Sequence, residues 1–198
     1  MRKIILASAS PRRKELLERA GVDFEVLPAS GDENRISDNP GEAVKQLASD
    51  KAASVIRTMK DSADGTIVIG SDTVVVFENV ILGKPHDTED AVNTLKKLQA
   101  STHQVYTGVS VWEKKEKVWT EHTFYESTDV TFYPVSDEEI REYVATGEPM
   151  DKAGGYAIQG VGGFLIDSIH GSYSNVVGLP LAETARLLLD HSIIRLVD

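Results

Sequence analysis

The sequence predicts a mixed α/β or α+β fold built on a long, bent sheet, organised as one domain or as two small lobes. Short segments rich in β-branched residues alternate with segments of helical spacing along the 198 residues. The chain has neither internal repeats nor low-complexity tracts, and 41% of its residues are hydrophobic while 26% are charged, which is ordinary for a globular protein. This order of elements is typical of helices packed on a sheet.

The first half of the chain predicts four strands and two helices. The apolar run IIL is a strand, and Ser10 caps a helix that begins with proline and covers residues 11–20. A short strand in DFEVLPAS and a polar loop precede a helix over residues 41–59. Two further strands are predicted on either side of a tight turn at Glu78-Asn79.

The second half predicts three more helices and further strands. HDTEDAVNTLKKLQA has helical spacing, and residues 103–133 alternate in a way that predicts a β-meander. The next helix begins with a capping box formed by Ser136 and Glu139. A glycine-rich stretch then leads to a final helix that begins near Pro180.

Charge and composition exclude several classes of function. A net charge of −10 argues against binding to polymeric nucleic acid or to an anionic membrane. The absence of cysteine excludes disulfides, thiolate catalysis and zinc–thiolate sites. No apolar stretch is long enough to span a bilayer, and the one near the start is too short for a signal peptide. We therefore expect a cytoplasmic protein without membrane contacts.

Three cations occupy the first turn of the first predicted helix, where the helix dipole disfavours them by some tenths of a kcal/mol each. They are Arg12, Arg13 and Lys14. One interpretation is a solvated helix end. The other is an anion site, in which backbone N–H groups and the hydroxyls of Ser8 or Ser10 donate to phosphate beside arginine forks. The pattern GxxxxGK[ST] is absent, so this is not a P-loop.

Lys51 lies in the middle of an apolar helix face. At 100° per residue it falls among Val44, Leu47, Ala48 and Val55. A lysine in this position often extends its stem along apolar surface and reaches water. The alternative is an ammonium group directed into a cleft, where it meets a fixed negative charge.

Asp72 interrupts two apolar β runs, where an ionised carboxylate is costly to bury without a partner. It is either a turn or bulge aspartate beside Gly70-Ser71, or a base or metal ligand at a strand end. If the Glu78-Asn79 turn closes a hairpin, Lys84 returns close to Asp72.

Together these positions predict a phosphate site that contains a carboxylate. Phosphoryl chemistry needs cations against the phosphate oxygens, usually a divalent metal, and one group that orients water. The candidate residues are Arg12, Arg13, Lys51 and Lys84 around Asp72, with Glu33 as a further carboxylate.

Five segments in order, LASASPRRKELL, GSDTVV, LGKP, EPMDKAGGYAIQG and GSYSNVVGLPL, resemble the Maf (septum formation) family of nucleotide pyrophosphatases. The resemblance runs from Lys3 to about Leu188 and implies one Maf-like domain over residues 1–198. It implies the fold of inosine triphosphate pyrophosphatases: a long, curved, mixed sheet with flanking helices, in two lobes around a cleft. It also implies hydrolysis of nucleoside triphosphates to the monophosphate and pyrophosphate with a divalent metal, Mg²⁺ or Mn²⁺.

The resemblance also implies roles for individual residues. The family's proton acceptor falls on Asp72, and its metal carboxylates fall on Glu33 and Asp72. Its phosphate-contacting residues fall on Ser8, Arg13, Lys51 and Lys84.

Three positions separate the subgroups of that family, and here they are Arg12, Thr73 and Gln159. They match the group that acts on dTTP and UTP. The group that acts on 7-methyl-GTP has tryptophan, glutamine and glutamate instead. The resemblance therefore implies an enzyme that clears dTTP, UTP or modified pyrimidine nucleotides from the nucleotide pool.

Two other hypotheses compete with this one. The first is a non-catalytic nucleotide-binding regulator of cell division or septum formation, which the loss of Asp72 or Lys84 would favour; both are present. The second is a structural protein with solvated charges, which the place of Lys51 argues against. A homodimer is compatible with the sequence.

Overall fold

The computed structural model describes residues 2–30, 37–59 and 62–195. Its strands are β1 (Ile4–Leu6), β2 (Glu25–Val26), β3 (Ile67–Phe77), β4 (Val80–Leu82), β5 (Thr102–Lys115), β6 (Val118–Phe132) and β7 (Ile166–His170). Its α-helices are α1 (Pro11–Arg19), α2 (Pro40–Thr58), α3 (Thr88–Leu98), α4 (Asp137–Ala145), α5 (Tyr173–Val177) and α6 (Leu181–Asp190). Short 3₁₀ turns cover Glu148–Asp151, Ala153–Gly155 and Val161–Leu165.

The strands form one mixed sheet. Its order is β2-β1-β3-β5-β6-β7, and β4 pairs with β3 outside this path. Strand β1 is parallel to both β2 and β3, whereas β4 is antiparallel to β3 and β7 is antiparallel to β6. Parallel and antiparallel pairs in one sheet confirm the predicted mixed class.

The chain divides into two compact units, each with its own apolar core. Unit 1 comprises Met1–Asp72, Thr107–Glu126 and Gly178–Asp198, and unit 2 comprises Thr73–Tyr106 and Ser127–Val177. A core cluster in unit 1 joins β1 and β3 to α2 through Ile5, Val68 and Val55. In unit 2, α3 and α4 pack on the sheet through residues such as Leu95, Ile140 and Phe132. The single domain over residues 1–198 stays a prediction.

Most predicted elements are present. Ser10 accepts a hydrogen bond from the N–H of Arg13 as the cap of α1, and α4 begins with the predicted capping box. Glu78 and Asn79 both have positive φ, as a two-residue hairpin turn requires. None of the helices in the described part of the chain is long and apolar enough to cross a membrane.

Two predictions of secondary structure need correction. The β-meander over residues 103–133 is a single long hairpin, because β5 and β6 turn only once, at Glu116 and Lys117. Strand β7 and helix α5 were absent from the predicted elements, since both are only five residues long and lie between glycine-rich turns.

Helix α2 packs tightly against β3 at Gly70. A Cβ atom on Gly70 would lie 2.1 Å from the carbonyl oxygen of Ala48 and 2.9 Å from the backbone nitrogen of Ala52. Both are backbone atoms of α2, so they cannot move aside as a flexible side chain would. The absence of a side chain at Gly70 therefore allows the helix to lie this close to the strand. The contact is made by Ala48 and Ala52, which lie within one helical turn of Lys51.

We predict that Gly70→Ala lowers the free energy of unfolding by about 2 kcal/mol or more, because α2 must move away from the sheet. Urea unfolding monitored by circular dichroism measures this change. Gly83→Ala is the matched control, since a Cβ there meets nothing within 4 Å, and it should change stability by less than about 0.5 kcal/mol. Equal stability of the two variants would contradict the close packing at Gly70.

Candidate active site

The first part of the site is the loop between β1 and α1. Ser8 is buried, and its Oγ accepts hydrogen bonds from the N–H of Ser10 at 3.2 Å and from the Arg13 guanidinium at 3.4 Å. The chain enters this loop directly from β1, since the N–H of Ala7 still donates to the carbonyl of Ile69 on β3 at 2.8 Å. The serines thus hold both the first helical turn and one arginine in place.

Arg13 is anchored by a backbone carbonyl that is distant in sequence. Its Nε donates to the carbonyl oxygen of Gly178 at 2.8 Å. The hydroxyl of Ser71, which is fully buried, donates to the same oxygen at 3.1 Å. One carbonyl therefore links α1 to β3 at the residue next to Asp72. Two donors on one oxygen satisfy both of its lone pairs and restrict the guanidinium.

The second part of the site is an ion pair between α2 and β3. The Nζ of Lys51 contacts Oδ1 of Asp72. The side chain of Lys51 is 18% exposed and that of Asp72 is 9% exposed, so both charges are largely removed from water. The contact fits neither a Lys51 that only reaches water nor an Asp72 that serves only as a turn or bulge residue. The ammonium group of Lys51 instead meets a fixed negative charge, as the alternative hypothesis for Lys51 expects.

The other two cations of the first turn differ from Arg13. Lys14 is exposed and lies 3.6 Å from Glu18, a helical i,i+4 pair on the surface. Arg12 is half-buried on the same turn. Of these cations, Arg13 donates to a carbonyl oxygen of a distant residue while Lys14 lies at the surface, and the carbonyl dipole offsets part of the conflict at Arg13.

Thr73 and Lys84 both lie in unit 2, on the β3–β4 hairpin. The observed register pairs Val75 with Leu82, so its continuation puts Lys84 opposite Thr73. Thr73 is the neighbour of Asp72 in sequence, and the prediction that Lys84 returns close to Asp72 stays a prediction. Lys84 is exposed.

Gln159 also lies in unit 2, in a turn at the end of the AGGYAIQG segment, and its side chain is exposed. The predicted carboxylate Glu33 lies outside the described residues. Among the residues that are described, no group of three or more His, Asp or Glu side chains is arranged to hold a metal ion.

Sequence reasoning missed the roles of Ser71 and Gly178. Both occur within motif segments, but neither carries a charge or breaks a local rule. Their shared contact joins positions 107 residues apart, and no local pattern predicts a contact at that separation.

Comparison with known families shows the family to which the chain belongs. The family model described as Maf-like protein matches residues 3–191. The chain belongs to the Maf family. The match covers the serine loop, the Lys51–Asp72 pair and Gly178, so every contact described above lies inside the Maf region.

Two relatives share about half of their residues with this Maf-family chain. The dTTP/UTP pyrophosphatase of Agathobacter rectalis is 50% identical over 92% of this chain and 94% of its own length. The dTTP/UTP pyrophosphatase of Bacillus cytotoxicus is 48% identical over 95% of each chain. The structure of the Staphylococcus aureus Ham1 protein has a TM-score of 0.51 at 15% identity, covering 97% of this chain and 98% of that one. It shows a shared fold and supports the predicted mixed α/β class.

We predict that Lys51→Met lowers the free energy of unfolding by about 3 kcal/mol at pH 7 without nucleotide, because the buried carboxylate of Asp72 loses its cation. The double variant Lys51→Met, Asp72→Asn should recover most of this loss, since it leaves no buried charge. Urea unfolding of the two single variants and the double variant measures the coupling.

Lys14→Met is the control for this cycle, because it removes an exposed lysine with an acidic neighbour. It should change stability by less than about 0.5 kcal/mol. Purely additive effects of the Lys51 and Asp72 substitutions would mean that the ion pair contributes nothing in solution.

Proposed function

We propose that this chain is a nucleoside triphosphate pyrophosphatase that hydrolyses dTTP and UTP to the monophosphate and pyrophosphate. The observation that carries the proposal is the buried Lys51–Asp72 pair beside an arginine held by Ser8 and Gly178. Relatives that are 48–50% identical over almost the whole chain bear the name of this activity. Removal of dTTP, UTP and modified pyrimidine nucleotides from the nucleotide pool follows from this specificity.

In the proposed reaction, water breaks the anhydride bond between the α and β phosphates. The water oxygen forms a bond to phosphorus as the anhydride bond breaks, and pyrophosphate leaves. One proton of the water passes to the carboxylate of Asp72. Lys51 holds that carboxylate in place before substrate arrives, so the acceptor is positioned without reorganisation. Arg13, Lys51 and Lys84 supply positive charge for the phosphate oxygens, and Ser8 supplies a hydroxyl.

We propose Mg²⁺ or Mn²⁺ as the cofactor, held by Asp72 and Glu33. The described residues fit such a metal, since Mg²⁺ in nucleotide sites is usually bound by one or two carboxylates together with substrate phosphates rather than by a protein cage. Asp72 is a nearly buried carboxylate of this kind. When bound, the metal would neutralise charge on the phosphate oxygens.

A non-catalytic regulator of cell division is the weaker hypothesis for this chain. Such a protein would need the cations to bind a nucleotide, but it would have no use for a buried carboxylate beside them. Burying Asp72 and Lys51 costs desolvation free energy. A catalytic role accounts for the presence of this buried pair, whereas nucleotide binding alone does not. The cytoplasmic location and the homodimer stay predictions.

We expect pyrophosphate and the monophosphate as the primary products from dTTP and UTP with Mg²⁺ or Mn²⁺, because the cation set is large enough for a triphosphate. Asp72→Asn should lower kcat by about 10²-fold or more while triphosphate binding largely survives, since the cations remain. Product chromatography and steady-state kinetics measure both effects.

Asp50→Asn is the control for this experiment, because it removes an exposed carboxylate next to Lys51 on α2; it should retain wild-type turnover. Orthophosphate as the first product would identify a different bond, and near-normal turnover of Asp72→Asn would make Asp72 a structural residue.

The second expected outcome concerns the base. The amide of Gln159 can donate to a carbonyl and accept from the adjacent N3–H of thymine or uracil. Gln159→Glu should therefore reduce kcat/KM for dTTP and UTP at least about tenfold relative to 7-methyl-GTP, because a carboxylate cannot donate. Measurement of kcat/KM for dTTP, UTP, ATP and 7-methyl-GTP tests this. Unchanged ratios would remove Gln159 from base selection but leave the reaction type unaffected.

A further inference from the structure

Unit 2 contains a carboxylate that the proposed reaction does not use. Glu148 is half-buried at the start of a 3₁₀ turn, and its two oxygens accept three hydrogen bonds. The hydroxyl of Tyr143 and the N–H of Gly162 both donate to Oε1 at 2.9 Å, and the N–H of Val161 donates to Oε2 at 2.9 Å. A carboxylate that accepts three hydrogen bonds is well compensated and held in place by them.

These bonds hold the turn that carries Gln159. Val161 and Gly162 follow Gln159 by two and three residues. Glu148 therefore holds the backbone shortly after Gln159 by hydrogen bonds to two of its N–H groups. A Cβ atom on Gly160 would lie 2.4 Å from Oε2 of Glu148, which shows how closely the carboxylate lies along the turn. Gln159 is exposed, and its position therefore depends on the backbone to which it is attached.

The other end of the same turn is held by a second polar contact. The hydroxyl of Tyr156, which is buried, lies 2.7 Å from Nε2 of His103. Burial lowers the pKa of His103 to about 4, so the imidazole is neutral at physiological pH. Gln159 thus lies between two anchors, Tyr156 on the amino-terminal side and Glu148 on the carboxy-terminal side.

Tyr143, one of the partners of Glu148, is itself packed in the interior of unit 2. The ring of Tyr143 is buried and packs edge-on against Phe164, with 5.9 Å between centroids. Burial raises the pKa of the Tyr143 phenol, so it remains a hydrogen-bond donor. Burial also tends to raise the pKa of Glu148, but the hydrogen bonds from Gly162 and Val161 outweigh it and leave the pKa below its usual value. The carboxylate is therefore ionised throughout the neutral range.

We infer that Glu148, with Tyr143, is a positioning residue that determines nucleotide selectivity by fixing the turn on which Gln159 is presented to the base. The inference rests on the proposed function. A bidentate contact between an amide and a pyrimidine edge requires the amide to be held in one orientation, because each freely rotating side chain loses entropy when it binds. The turn fixes the backbone from which the Gln159 side chain extends, so only the side-chain torsions remain to be ordered when the nucleotide binds.

The test compares wild type, Glu148→Gln, Gln159→Ala and the double variant on dTTP, UTP, ATP and 7-methyl-GTP. A glutamine at 148 keeps the shape but places an NH₂ group against a backbone N–H, so one of the two amide donors loses its acceptor. We expect the preference for dTTP and UTP over ATP to fall about tenfold, through KM rather than kcat, because base contacts contribute equally to ground and transition states. In the Gln159→Ala background, Glu148→Gln should cause little further change, because the effect passes through Gln159.

Glu142→Gln is the matched control, since Glu142 is an exposed carboxylate next to Tyr143 on α4; it should leave every ratio unchanged. Tyr143→Phe removes one of the three donors and should shift the ratios in the same direction by a smaller factor. Hydrogen exchange provides a readout that needs no substrate: the amides of Val161 and Gly162 should exchange faster in Glu148→Gln than in Glu142→Gln.

The outcomes separate this inference from the proposed function. An active wild type with unchanged ratios in Glu148→Gln and Tyr143→Phe overturns the role of Glu148 alone. Equal loss on all four nucleotides overturns it as well, since it indicates general destabilisation of unit 2. A wild type that releases pyrophosphate from none of the nucleotides overturns the proposed function, and the inference falls with it.

Discussion

The buried ion pair between Lys51 and Asp72 is the interaction on which the rest of the site depends. Removing two charges from water costs several kcal/mol for each ion, and only close, well-oriented contact compensates for it. Close approach of α2 to β3 is possible because Gly70 has no side chain, since a Cβ atom there would clash with the backbone of α2. A glycine in the sheet therefore allows an ammonium on a helix to reach a carboxylate on a strand, and this carboxylate is the proton acceptor that we propose.

The polar contacts of Arg13 likewise compensate for a charge in an unfavourable position. An arginine in the first turn of a helix conflicts with the helix dipole, and a partly buried guanidinium needs acceptors for its donors. The carbonyl of Gly178 and the hydroxyl of Ser8 supply them. Ser71 donates to the same carbonyl, so the arginine is connected to the strand that carries Asp72. A phosphate that replaced water at this end of the helix would find donors already oriented, which reduces the entropy lost on binding.

The residues proposed to contact phosphate and base are divided between the two compact units. Ser8, Arg13, Lys51 and Asp72 belong to unit 1, together with Arg12, whereas Lys84 belongs to unit 2. Thr73 and Gln159, whose neutral groups we propose for base recognition, also belong to unit 2. Phosphate binding tolerates small errors in position because Coulomb attraction falls slowly with distance. Hydrogen bonds to a base edge weaken steeply with angle, which is consistent with the anchors provided by Glu148 and by the Tyr156–His103 pair.

The sequence by itself determined the class of fold, the boundaries of most helices and the family, because caps, turns and apolar periodicity are local signals. Ser10, the Ser136–Glu139 box and the Glu78-Asn79 turn all act within a few residues of themselves. It also singled out Lys51 and Asp72, since each breaks the pattern of its own element. Only the tertiary structure decided that these two charges meet, that Gly178 joins Arg13 to Ser71, and that Glu148 holds the turn of Gln159. Each of those contacts depends on how separate elements pack and on the direction of one side chain, and neither quantity is encoded in any short stretch of the chain.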